Sequence, residues 1–245
     1  MLAVSAMLAA TTCGPAQAQT TESALRGLCA DRPGLDTPPC TVDKGHVVVE
    51  LGLGDWTHDN DKAARIDTIA AGDWLVRFGV TGSLEAQLGW TSYGHVRSRD
   101  RQTGVVDQAG GVGDVTIALR QNLRNPDGSG LSIAVMPYAS LPAGAAQIGA
   151  GDWGAGLLMP MTFDLSNGLS LALTPEIDAA VDGDGDGRHL AFGSVAGLGV
   201  KISDSLSGTA ELSIMRDRDP DGHSTRALTG LSLGWQPGTD LQFDI

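Results

Sequence analysis

From Gly45 onward, apolar and polar residues alternate with a period of two. In the longest run, Leu169, Leu171, Leu173, Pro175, Ile177, Ala179 and Val181 share one face, and Ser170, Ala172, Thr174, Glu176, Asp178, Ala180 and Asp182 share the other. Side chains of an extended strand point to opposite faces in turn, so this pattern predicts strands. The same dyad sets Val47, Val49, Leu51 and Leu53 on one track, then Trp74, Val76, Phe78 and Val80, then Leu84, Ala86, Leu88 and Trp90. It continues through Val115, Ile117 and Leu119, Met159 to Leu165, and residues 190–202, 210–214 and 227–235. The reading gives ten strands, with an eleventh begun at Leu241.

The apolar track carries no charge. The other carries Glu50, Asp73, Arg77, Glu85, Asp114, Arg120, Asp164, Glu176, Asp178, Lys201 and Glu211, separated mostly by Gly, Ala, Ser and Thr. A water-soluble sandwich also alternates. Small residues between the charges suit the inside of a closed barrel better. A charge on a lipid-facing position would cost ~2–4 kcal/mol at the bilayer midplane, which accounts for the clean apolar track. The connections agree. Short ones at 81–83, 125–130, 166–168, 203–208 and 236–240 alternate with longer or more charged ones at 58–62, 98–110, 142–150, 182–188 and 216–223. Short periplasmic turns and longer outer loops are the habit of membrane barrels. The predicted fold is an all-β, antiparallel up-and-down transmembrane β-barrel in the outer membrane over residues 45–245. Its lumen is lined by the eleven charged residues just named.

Composition sharpens this. The 245 residues include 34 Gly, and the 29 acids include only five Glu against 16 bases, for a net charge of −13. Asp and Gly are turn formers, and their excess argues against a helical protein. The acidity excludes a nucleic-acid partner, because phosphate contacts need clustered Lys and Arg. The expected partners are outer-membrane lipid and lipopolysaccharide, the barrel-assembly machinery and a small-molecule solute.

The first eighteen residues are uncharged, and Ala16-Gln17-Ala18 has the small-x-small form of a signal-peptidase site, so 1–18 reads as a signal peptide. The lipoprotein alternative through Cys13 lacks the usual upstream Leu. Residues 19–44 then form a periplasmic segment with two cysteines. Cys29 and Cys40, an even pair in an exported chain, read as a disulfide; a metal pair is the weaker reading, since no His or third Cys stands beside them. The ten residues they enclose are turn-rich and have no means of holding a shape alone.

Several segments resemble an outer-membrane family associated with the MetA pathway of phenol degradation, often labelled "transporter". Gly111-Val112-Gly113-Asp114-Val115-Thr116-Ile117 is similar to its GxGDxT strand opening, and Pro137-Tyr138-Ala139-Ser140-Leu141-Pro142-Ala143-Gly144 to its PYxxLPxG strand and loop. Residues 157–168 resemble its VPxxFxL strand and turn, and the segment from Cys29 to Cys40 its N-terminal motif. The resemblance implies a twelve-stranded channel and a link to aromatic degradation, and supplies no catalytic residues. Such barrels end in an aromatic-terminated strand that closes on the first. This chain stops at Phe243-Asp244-Ile245, so it reads as C-terminally truncated, with ten-strand closure and a 241–245 tail as the alternative.

Candidate chemistry is sparse. Asp182, Asp184 and Asp186, and again Asp217, Asp219 and Asp221, have the alternating-oxygen form of a calcium loop. The bidentate Glu is missing at the twelfth position, where Gly193 and Leu228 stand. These loops read either as weak Ca²⁺ sites or as solvated acidic hairpins; no other cofactor is implied. The five histidines show no metal-ligand spacing. His189 with Asp182, or His223 with Ser224, are the only hydrolytic sketches, and no nucleophile motif supports them, so no enzymatic activity is expected. The expectation is a passive uptake channel for small molecules, aromatic or hydrophobic compounds among them. The alternatives are a non-transporting structural or surface-binding barrel, with its lumen charges paired shut, and a secreted Ca²⁺-binding β-sandwich.

Overall fold

The computed structural model describes residues 25–60 and 62–245. The expected signal peptide and Cys13 lie outside the described residues. No helix among the described residues is long and apolar enough to cross a membrane. The chain forms one antiparallel sheet of fourteen strand segments. They are β1 (Val47–Gly52), β2 (Asp55–Asn60), β3 (Ala64–Gly79), β4 (Leu84–Asp100), β5 (Val106–Gly111), β6 (Val115–Arg124) and β7 (Leu131–Leu141). Then follow β8 (Gly154–Leu158), β9 (Met161–Asp164), β10 (Leu169–Val181), β11 (Arg188–Lys201), β12 (Leu206–Asp219), β13 (Gly222–Trp235) and β14 (Phe243–Asp244). Both β1 and β2 pair with β3, both β5 and β6 with β4, and both β8 and β9 with β7 and β10. Fourteen segments therefore make eleven arms, the last being β14, and each arm pairs with its sequence neighbours. This is the up-and-down meander that the period-two pattern predicts.

The interruptions have local causes. Pro160, between β8 and β9, has no N–H for the ladder, and its carbonyl instead accepts the Ala134 amide at 2.9 Å. At the β5–β6 break, Asp114 turns its carboxylate to the amides of Gly144 and Ala150, at 3.2 and 2.7 Å, which pins residues 144–150 to this wall. The motif around Asp114 and the motif ending at Gly144 thus meet in space. The short turns close tightly: Val80 and Thr81 both donate to the Leu84 carbonyl, and Ile202 and Ser203 repeat this on Leu206.

The faces are inverted relative to a water-soluble protein. Val47, Val49, Trp74, Phe78, Leu88, Trp90, Ile117, Leu119, Leu171, Ile177, Leu198, Leu212, Ile214 and Leu233 stand exposed on the outside. Arg77, Arg120 and Glu85 are fully buried, at 0% exposure. Continuous exposed apolar surface of this extent belongs against lipid or another apolar partner. A β-sandwich in water would bury the face that this sheet turns outward. The sheet curls far enough that one short N-terminal segment touches β1, β3, β4, β6, β10 and β12. Its edges, β1 and β14, share no ladder, so the barrel is not closed.

Candidate functional site

The segment 25–44, which the sequence alone leaves on the periplasmic side, runs inside the curled sheet. Its turn-rich composition gives it no ladder of its own; the wall supplies its shape. Cys29 and Cys40 are joined by a disulfide, with Cα atoms 6.5 Å apart. The carbonyls of both half-cystines face Arg77, which donates through Nη1 to Cys29 at 2.6 Å and through Nη2 to Cys40 at 3.4 Å.

The wall here is a set of rows across β3, β4 and β6. Gly79 lies opposite Glu85, and Glu85 opposite Arg120; one step outward, Arg77 lies opposite Gln87. Period-two geometry aims all of these inward. Arg77 donates through Nε to Glu85 at 3.0 Å and through Nη1 to Glu50 at 3.1 Å. Asp31 of the inner segment bridges both arginines, at 2.9 Å from Arg77 Nη1 and at 2.9 and 2.5 Å from Arg120 Nη1 and Nη2. Burial raises the Asp31 carboxyl, but the attraction of Arg120 and then Arg77 outweighs it and holds Asp31 below the usual carboxylate range. Two guanidiniums and three carboxylates therefore pair with one another away from water, the condition under which buried charge is tolerated, although Arg120 Nε has no hydrogen-bond partner.

Backbone amides complete the grip. The Glu50 carboxylate accepts from the amides of Asp31 and Arg32, both at 3.0 Å. Glu85 accepts from Val42 at 2.7 Å, and Asn122 donates to the Pro39 carbonyl at 2.8 Å. Arg32 pairs with Asp73. Arg26 pairs with Asp43 at 2.6 Å, and its hydrogen bonds hold Asp43 low against the upward pull of burial. Gly79 matters by lacking a side chain: a Cβ there would lie 2.1 Å from the Asp43 carbonyl oxygen.

A second docking point lies on the far wall. Glu211 faces inward from β12, flanked by Gly197 on β11 and Gly230 on β13. The space over these glycines admits the turn at Gly34, and the Leu35 and Asp36 amides donate to Glu211 at 2.9 Å. Thr174 on β10 exchanges hydrogen bonds with the Thr37 backbone, donating at 3.2 Å and accepting at 3.4 Å.

The remaining charged residues of the polar track do other things. Glu176 and Asp178 both accept from the Tyr138 hydroxyl, at 3.2 and 2.7 Å. Asp164 takes the Gly130 amide at a turn, and Lys201 is an exposed partner of Asp204. Four of the six acidic-loop carboxylates make internal contacts. Asp182 and Asp217 each lie 2.9 Å from a ring nitrogen of His189, Asp219 caps the Gly183 amide, and Asp184 caps that of Asp186. Asp221 gives its amide to Asp219. Among the described residues, no group of three or more His, Cys, Asp or Glu side chains is arranged to hold a metal ion.

Sequence reasoning singled out the wall residues Glu50, Arg77, Glu85, Arg120 and Glu211 and missed what they hold: Asp31, Arg32, Asp36 and the cystine carbonyls. One signal was available. Arg77 and Arg120 are bulky cations on an inward track of small residues and acids, and such side chains need a partner.

An antiparallel meander with an apolar outside, curled around its own N-terminal segment, defines the class as an all-β protein of membrane-barrel design. The chain belongs to the family described as "Putative MetA-pathway of phenol degradation", whose model matches residues 30–245. That match takes in Asp31, Asp36 and Cys40, so the inner segment is part of the family unit. No curated protein matches the chain.

Proposed function

We propose that this protein is an outer-membrane barrel that passes small molecules, aromatic and hydrophobic compounds among them, and that residues 29–43 are the plug of its conduit. The observation carrying this reading is the Asp31–Arg77–Arg120–Glu85–Glu50 cluster. It binds the irregular N-terminal segment inside a polar wall whose outside is apolar. A barrel with a purely structural role can be filled by the side chains of its own wall. Here the wall presents small residues and charges, and the volume is filled by a disulfide-closed loop on a tether. That arrangement suits a passage able to open.

Planar-bilayer recording tests it. The full chain is expected to give rare openings, and a variant lacking residues 29–43 sustained conductance. Silence from both, with both present as heat-modifiable folded species, would reject the conduit in favour of a structural or surface-binding barrel.

A further inference from the structure

A second stretch of irregular chain lies against the wall, on the connection from β7 to β8. Its contacts fix the face it lies on. Asp114, which accepts from the Gly144 and Ala150 amides, shares the polar track of Thr116, Ala118 and the buried Arg120. Beside it, Gly94 of β4 lies opposite Gly111 of β5. Gly94 is buried, whereas its neighbour Tyr93 is exposed. A Cβ on Gly94 would lie 2.3 Å from Ile148 Cγ2, and one on Gly111 would lie 2.8 Å from the Ala145 Cβ. The connection is therefore seated on the inner face, over glycines that let it approach. Residues 145–148 form a turn, in which the Ile148 amide donates to the Ala145 carbonyl at 2.8 Å. The two ends of the turn, Ala145 and Ile148, meet the wall, and its tip, Ala146-Gln147, is exposed. Residues 142–150 carry no charge.

Resting on the reading of this chain as a passage, we propose that residues 144–150 are its constriction, and that Gln147 at the turn tip is the side chain that sorts solutes by size and charge. Stacked backbone layers stand ~10 Å apart when side chains separate them. Seating on glycine brings this layer closer to the wall, so it narrows the passage and leaves it open. The plug then decides when the passage opens, and the constriction decides what fits. An uncharged tip supplies no counter-charge to replace the water around an ion, so uncharged solutes pass at the lowest cost.

Planar bilayers separate the two parts, because the plug sets how often the full chain opens and the constriction sets the amplitude of each opening. Replacing residues 145–149 with two glycines is expected to raise the unit amplitude roughly twofold or more, at unchanged opening frequency. Gly94→Val, which drives the turn off its seat into the passage, should lower the amplitude. Gln147→Lys should cut the permeability of potassium relative to chloride by about threefold or more, whereas Thr103→Lys, at an exposed position between β4 and β5, should leave it unchanged. Openings whose amplitude and ion preference match the wild type in the shortened chain and in Gln147→Lys overturn the constriction and leave the passage standing. An equal shift from Thr103→Lys overturns it too. Should Gly94→Val fail to fold, Gln147→Lys decides alone. Silence from both the full chain and the chain lacking residues 29–43 overturns the passage itself, and the constriction with it, which separates the two failures.

Discussion

Asp31→Ala isolates the ionic anchor of the plug. The substitution removes the one carboxylate on the inner segment that touches both buried guanidiniums, at 2.9 Å from Arg77 and 2.5 Å from Arg120. The wall itself keeps its balance, because Arg77 still faces Glu50 and Glu85, and Arg120 still faces Glu85 at 3.2 Å. The cost therefore falls on docking rather than on the barrel. Breaking a buried ion pair by removing one partner costs roughly 3–5 kcal/mol when the other charge is stranded. With the glutamates still in place the lower end applies, about 3 kcal/mol, or about 100-fold in the docking equilibrium. The assay is exchange protection of the Arg32 amide, which donates to Glu50 only while the segment is docked. It should drop by about two orders of magnitude, while amides in the β10–β11 ladder are unchanged. Asp31→Asn should lie between the two. Unaltered protection at Arg32 would refute the reasoning, since the segment would then be held by its backbone contacts alone. Equal loss in the β10–β11 ladder would refute it too, because the cluster would then be supporting the wall.

Three other outcomes are expected. Replacing Cys29 and Cys40 with Ser opens a loop of sequence separation 11. By chain entropy this should loosen the docked segment by about 3 kcal/mol, read as more frequent openings in planar bilayers and no change in the heat-modifiable mobility of the barrel. Gly79→Val sets a side chain against the Asp43 carbonyl and should displace the segment without melting β3, seen as lost protection at Val42 with the β3–β4 ladder intact. Ile214→Arg puts a cation on the outward face and should cost ~2–4 kcal/mol of stability in lipid, measured by urea titration in vesicles; the same change at exposed Thr103 in an outer loop should cost far less.

The wall was legible because its code is local. A period of two fixes which side chains share a face, and one uncharged track beside one charged track fixes which face turns outward and which turns in. Strand arms and turn positions follow from Gly, Asn and Pro, as at Asn167 and Gly168, whose φ values are 63° and 73°. The content of the lumen was not legible. Asp31 and Arg120 are 89 residues apart, and Leu35 and Glu211 are 176 apart. No periodicity connects an irregular segment to a register on a distant strand. The acidic loops have the same limit: their Asp spacing fits an ion, but which oxygens are taken by the Gly183 amide and by His189 depends on how the hairpins lie.

The tether gives the inner segment a particular kinetic character. From Asp43 to the start of β1 there are only three intervening residues, and the Gly45 amide is bonded to the Gly79 carbonyl at 2.7 Å. At ~3.5 Å per residue the seven steps from Cys40 to Val47 keep the root of the released loop within about 25 Å of the start of β1. Leaving and returning are therefore intramolecular events at a millimolar or higher effective concentration. The lifetime of the undocked segment would then be set by its own affinity for the wall, independent of protein concentration.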